Sequence, residues 1–196
     1  MCAIIGVASA NPMQSKEWLI RGRNSMVHRG PDDCGDWHSR DLRVRLAHSR
    51  LSIIDKSSAG HQPMTNLAGD ITVVFNGEIY NFLELKKQLS KFGHKFVTSS
   101  DTEVLIASWI EWGTECVKYL NGMFVFAIHD DKKNTLFLAR DRAGEKPLYY
   151  SYIKGEIRFS SELKGLLADA KFSKSLNIKA FNLYLERGYV PGELSI

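Results

Sequence analysis

Met123-Phe124-Val125-Phe126-Ala127-Ile128-His129, a polar stretch from Asp130 to Asn134, then Thr135-Leu136-Phe137-Leu138-Ala139-Arg140: here two apolar runs flank a turn. Their β-branched and aromatic residues give the pattern of a β-hairpin. Because apolar residues fill nearly every position, both faces of each strand need cover. A second hairpin follows, with Leu148 to Ile153 and Ile157 to Ser160 flanking Lys154-Gly155. Upstream, Ile71 to Phe75 is another apolar run, Leu42 to Ala47 alternates, and Leu51 to Asp55 alternates less strictly; all three read as strands. The chain opens on an apolar run from Cys2 to Val7 that suits a strand buried on both faces.

Helical spacing appears between the strands. Ser15 can cap a helix to Val27 with Trp18, Leu19, Gly22, Met26 and Val27 on one side, ending in the loop His28-Arg29-Gly30-Pro31-Asp32. Asn81 with Glu84 starts a second helix through Leu85, Leu89 and Phe92 to Gly93, and a third runs from Asp101 or Thr102 to Trp112. Asn76-Gly77 is expected to break the strand before it. Hairpins mixed with helices predict an α+β sandwich of two stacked, mainly antiparallel sheets enclosed by helical layers. The helical pattern from Ile178 to Arg187, followed by Gly188 to Gly192, reads as a connection that stops in mid-course.

Composition narrows the function. The 196 residues, 44% hydrophobic and 24% charged, fit one globular domain. The net charge of +4 is spread among acids, and its densest stretch, Arg40 to Arg45, alternates as a solvated strand face would, so nucleic-acid binding is not expected. Cys2, Cys34 and Cys116 are odd in number and far apart, which points to a reducing compartment. No run approaches the ~20 apolar residues of a membrane helix, and no leader pattern precedes Cys2. A cytoplasmic protein is expected. The six histidines show no ligand spacing, so no metal is expected, and no Gly-x-x-x-x-Gly-Lys loop provides for a nucleotide.

Cys2 stands out chemically. Methionine aminopeptidases remove Met1 before a small residue, which would leave a thiol and a free α-amine on one residue. An α-amine titrates near ~7.7–8.0 and can serve as the base for the thiol, with no histidine required. Alone, Cys2 reads first as a buried structural cysteine, and Asn76-Gly77 first as a plain turn.

In order and register, the chain carries Met1-Cys2-x-Ile4-x-Gly6, His28-Arg29-Gly30-Pro31-Asp32, Arg50-Leu51-Ser52-Ile53-Ile54-Asp55, Gln62-Pro63-Met64, Asn76-Gly77-Glu78-Ile79-Tyr80-Asn81, Ser100-Asp101-Thr102-Glu103, Asn121-Gly122-Met123-Phe124 and Arg140-Asp141-Arg142-x-Gly144-x-Lys146-Pro147-Leu148-Tyr149. Over nearly its whole length it resembles the class II glutamine amidotransferase domain of the asparagine synthetase family. That resemblance implies an N-terminal-nucleophile αββα fold of four layers, with glutamine hydrolysed through a Cys2 thioester. It implies that the Asn76 amide and Gly77 N–H hold the oxyanion, and that Arg50 grips the substrate carboxylate as a planar fork. Asp101, with Glu78 and the backbone around Ile53, would hold the α-amino group. Read alone, Arg50 is equally a surface charge, and Asp101 equally a helix cap. Arg29 with Asp32, and Arg140 with Asp141, read as scaffold ion pairs.

Residues 2–175 are thus expected to form the glutaminase domain, and 176–196 the start of a connection to a synthetase domain absent from the sequence. L-glutamine and that synthetase domain are the expected partners, with a homodimer left open; ATP and Mg are expected only for the absent domain. Two other readings stay in view. One is a non-catalytic glutamine-sensing or docking module on the same fold. The other is a different class II branch, which would share Cys2 and Asn76-Gly77 but not His28 to Asp32 or Arg50 to Asp55.

Overall fold

The computed structural model describes every residue except 171, 173, 193, 195 and 196. One sheet holds β1 (Ala3–Ser9), β2 (Asp33–His38), β3 (Val44–Arg50), β8 (Tyr149–Ile153) and β9 (Glu156–Ser160) in the order β2-β3-β1-β9-β8. The other holds β4 (Met64–Thr65), β5 (Ile71–Ile79), β6 (Gly122–Asp130) and β7 (Thr135–Arg140) in the order β4-β5-β6-β7. Each neighbouring pair is antiparallel.

The apolar runs explain the layers. Strand residues alternate between faces, and three separate clusters of buried side chains result. Ile4, Val44, Leu46, Val74, Val125, Ala127 and Phe159 meet between the two sheets. On the outer side of the first sheet, Ala3, Ile5 and Ala47 meet Leu19 of α1 (Glu17–Asn24), with Met26 just beyond that helix. On the outer side of the second, Val73, Phe75, Phe126 and Ile128 pack against Leu85 and Leu89 of α2 (Phe82–Lys91) and Val104 and Leu105 of α3 (Asp101–Trp112). Three apolar interfaces separate four layers, so the expected αββα sandwich is present. Gly6 belongs to the middle interface, where a Cβ would lie 2.3 Å from the Phe159 ring.

Several boundaries differ from expectation. The first helix is α1 alone, shorter than Ser15 to Val27. Ser15 Oγ accepts from the Glu17 N–H at 3.2 Å without capping the helix, and Val27–Arg29 tighten into a 3₁₀ turn with Val27 exposed. Leu42 has φ 59° in a turn, so β3 begins at Val44. Arg45 is buried rather than solvated, donating to Met13 O at 2.6 Å. The polar edge strand β2 went unforeseen, as did the short helix α4 (Leu163–Leu167). Leu51 to Asp55 is a loop with Ile53 and Ile54 exposed, not a strand. Asn76-Gly77 does not end β5, which continues to Ile79 paired with β6. β8, at the edge of its sheet, is largely exposed, unlike β9 beside it. Helix α5 (Ile178–Arg187) forms where its pattern predicted, with Ala180 as its buried residue.

Candidate active site

At one end of the middle layer the inward-facing side chains turn from apolar to polar. Along β3 the series is Val44, Leu46, His48, Arg50; along β5 it is Val74, Asn76, Glu78; along β1 it is Gly6, Ile4 and then Cys2 just before the strand. His48 marks the boundary. Fully buried, it bonds Phe75 O across the sheets at 3.0 Å, so its Nε2 carries the proton. Burial lowers its pKa to about 4, which leaves it neutral at pH 7.

Beyond His48 lies a cavity of about 190 Å³. Cys2, Arg50, Ile53, Asn76, Gly77, Glu78 and Asp101, the seven positions singled out in the sequence, all line it.

The Cys2 thiol is half-buried, accepting from Leu51 N at 3.3 Å and facing Leu51 O at 3.6 Å. Burial pushes it above the usual thiol range, opposed by the Leu51 backbone, the chain terminus and Arg50, and reinforced by Asp101. Asn76 is buried, and its Nδ2 has no hydrogen-bond partner among the described residues. A buried amide donor without an acceptor is costly unless something else fills the place. Gly77 follows where β5 and β6 run close: a Cβ would lie 2.3 Å from Met123 O and 2.7 Å from Phe124 Cα.

Arg50 is buried at the end of β3, and the 51–60 loop wraps it. Its guanidinium donates to Ser57 O at 2.8 Å and to Asp55 O, and Gly60 leaves it room. The loop is closed in turn by Asp55, which accepts from Ser57 N at 2.8 Å and Ser99 N at 3.2 Å. Asp101 is the first residue of α3, but the cap belongs to Ser100, whose Oγ accepts from Thr102 N at 3.1 Å. Asp101 is thereby free to face the cavity while accepting from Ile79 N at 3.1 Å. Burial raises its pKa to about 6.

A sequence model of the glutamine amidotransferase domain matches residues 1–196. The chain belongs to that family. Among relatives of this glutamine amidotransferase domain, a "putative asparagine synthetase [glutamine-hydrolyzing] 2" of Methanocaldococcus jannaschii is 40% identical over 100% of the chain and 41% of its own length. "Asparagine synthetase [glutamine-hydrolyzing] 3" of Bacillus subtilis is 42% identical over 86% of the chain and 28% of its own length. The domain therefore spans less than half of either relative. In fold it is similar to the glutamine phosphoribosylpyrophosphate amidotransferase of B. subtilis, with a TM-score of 0.71 at 20% identity over 85% of this chain and 43% of that one.

Other residues of the amidotransferase site carry more than the sequence suggested. Arg29 does not pair with Asp32. It donates to the Cys2 carbonyl at 3.1 Å and to Glu162 at 2.8 Å, anchoring the backbone of the cysteine. Partial burial pushes the Glu162 pKa up, but hydrogen bonds from Arg29, Lys164 and His28 hold it at about 2. Asp32 accepts instead from Ser52 N at 2.8 Å. Gln62 accepts from Phe75 N at 2.7 Å and donates to Thr102, tying β5 to α3 at the cavity wall. His28 to Asp32 and Gln62-Pro63-Met64 were visible as motifs, but nothing in their spacing shows contacts to Cys2 or Phe75.

Proposed function

We propose that this domain hydrolyses L-glutamine to L-glutamate and ammonia with Cys2 as nucleophile after loss of Met1. The observation that carries the proposal is the convergence, in one cavity, of Cys2 and an Asn76 amide donor left without a partner. The α-amine of Cys2 takes the thiol proton, and sulfur attacks the side-chain amide carbon of glutamine. Asn76 Nδ2 and the Gly77 N–H receive the negative oxygen, an interaction made only along the reaction path. Collapse returns the proton to the leaving nitrogen, releases ammonia and leaves a thioester. The same amine then deprotonates a water that attacks the thioester carbonyl, freeing glutamate and restoring the thiol. Arg50 holds the substrate carboxylate, and Asp101 holds the α-ammonium with Glu78 and the Ile53 backbone.

The names and lengths of the relatives support a second step in which ammonia passes to an ATP- and Mg-dependent synthetase domain outside this chain. Residues 2–175 would then be the glutaminase domain and 176–196 the connection. The ammonia acceptor is left unassigned.

The test compares processed and Met1-retaining protein, each verified by intact mass, for ammonia release from glutamine. Processed protein should be active. The retaining form should fold but be inactive, since its Cys2 nitrogen is a non-basic amide. A glutamine-analogue alkylator should label Cys2 and spare exposed Cys34 and buried Cys116, and Cys2→Ala should abolish turnover. Equal activity in the two forms, or an adduct on Cys34, would overturn the mechanism; glutamine binding without turnover would favour a sensing module.

A further inference from the structure

Arg140-Asp141-Arg142-x-Gly144-x-Lys146 has no part in the mechanism above, yet the side chains of Arg140 and Asp141 are committed to backbone groups, chiefly those of the same loop. Asp141 accepts from Glu145 N at 2.8 Å, Lys146 N at 3.0 Å and Phe124 N at 3.3 Å. Arg140 donates to the carbonyls of Lys146 and Gly144. Gly144 turns the loop at φ 68°, a conformation that favours glycine. These bonds fix the backbone of one residue on both sides. That residue, Lys146, is 3% exposed and lines the same cavity as Cys2 and Asn76.

A buried lysine is ordinarily paired with a carboxylate. Here the contact found for Nζ among the described residues is Met1 Sδ, at 3.3 Å. A thioether is a weak acceptor, and it belongs to the residue whose loss the proposed mechanism requires. Only the atoms of Met1 itself separate that sulfur from the Cys2 nitrogen. Removing Met1 therefore opens the cavity onto an ammonium held in place by its loop.

We propose that Lys146 is a positioning residue of the mature site: with Met1 gone, its ammonium faces the α-amine and thiol of Cys2 and favours the unprotonated amine and the thiolate. The proposal rests on Cys2 being processed as above. The other ionisable groups around this point are Arg50 from β3, Asp55 from the 51–60 loop, Glu78 from β5 and Asp101 from α3, all lining the cavity, and Arg29, which holds the Cys2 carbonyl. Arg50, held by loop carbonyls, already lowers the Cys2 thiol's pKa, while Asp101 raises it and the carboxylates of Glu78 and Asp55 carry the same sign as Asp101. Lys146 supplies a second cation against three carboxylates.

The experiment is the pH dependence of Cys2 alkylation by iodoacetamide in processed protein, followed by peptide mass spectrometry. It reads the thiol directly and needs no turnover. Exposed Cys34 serves as internal reference, and buried Cys116 reports unfolding. Lys146→Met should move the Cys2 midpoint to higher pH and slow its labelling at pH 7 by roughly threefold to tenfold, the scale of one unit charge across a partly wet cavity. Lys146→Arg should restore the parental curve. If Lys146→Met exposes Cys116, Lys146→Gln takes its place. An unchanged Cys2 midpoint in a folded neutral variant, or equal shifts in the Arg and Met variants, would overturn the assignment. A shifted midpoint in protein that never hydrolyses glutamine would retract the glutaminase proposal and leave the placement of Lys146 standing.

Discussion

In the glutaminase reading proposed above, Asp101 couples substrate binding to pH. Burial raises its pKa from 3.8 to about 6, so the empty site is substantially protonated at pH 5. A protonated carboxyl is a poor partner for the α-ammonium of glutamine. KM for glutamine is therefore expected to rise as pH falls from 7 to 5, and Asp101→Asn should raise KM at pH 7 and flatten that trend. Steady-state kinetics across the range checks both. The sign for stability is the reverse: with its folded pKa above the unfolded one, Asp101 favours the fold below about pH 4 and loses that contribution as pH rises through about 6. The polar lining of the cavity was legible in the sequence because its motifs are local. Arg29 was set aside as scaffold, and Lys146 went unremarked within its motif, because their contacts cross 27 positions to Cys2, 133 to Glu162 and 145 to Met1, which spacing alone cannot bring together.

Among the elements, α3 joins stability to the site most directly. Ser100 caps it and leaves Asp101 facing the cavity. Ser100→Ala should cost about 1 kcal/mol in urea denaturation and also raise KM, because the first turn that positions Asp101 loosens; a stability loss with unchanged KM would separate the two roles. The helices facing the second sheet were legible from their periodicity. The Leu51 to Asp55 loop misled because its isoleucines are exposed at the rim of the cavity rather than packed in a core, while its backbone serves Arg50 and Cys2. The edge strand β2 was hidden for a different reason: it is covered on one side only, so its sequence stays polar.

For the molecule as a whole, the start of the chain lies in the middle of a sheet. β1 is paired with β3 on one side and β9 on the other, whereas chain ends generally fray. Hydrogen exchange followed by mass spectrometry should place residues 3–7 among the slowest amides and the largely exposed α5 among the fastest; similar rates in both would show that the cysteine is not anchored as described.

The same pairing sets an order in time. Synthesis reaches Cys2 well before β9, the strand that completes its seat and ends at Ser160. Until that strand emerges, the first residues remain open to an aminopeptidase, and the thiol has neither its pocket nor its neighbours. A half-made domain thus has the proposed nucleophile with nowhere to work, and in that reading glutamine is spared until the domain is nearly complete.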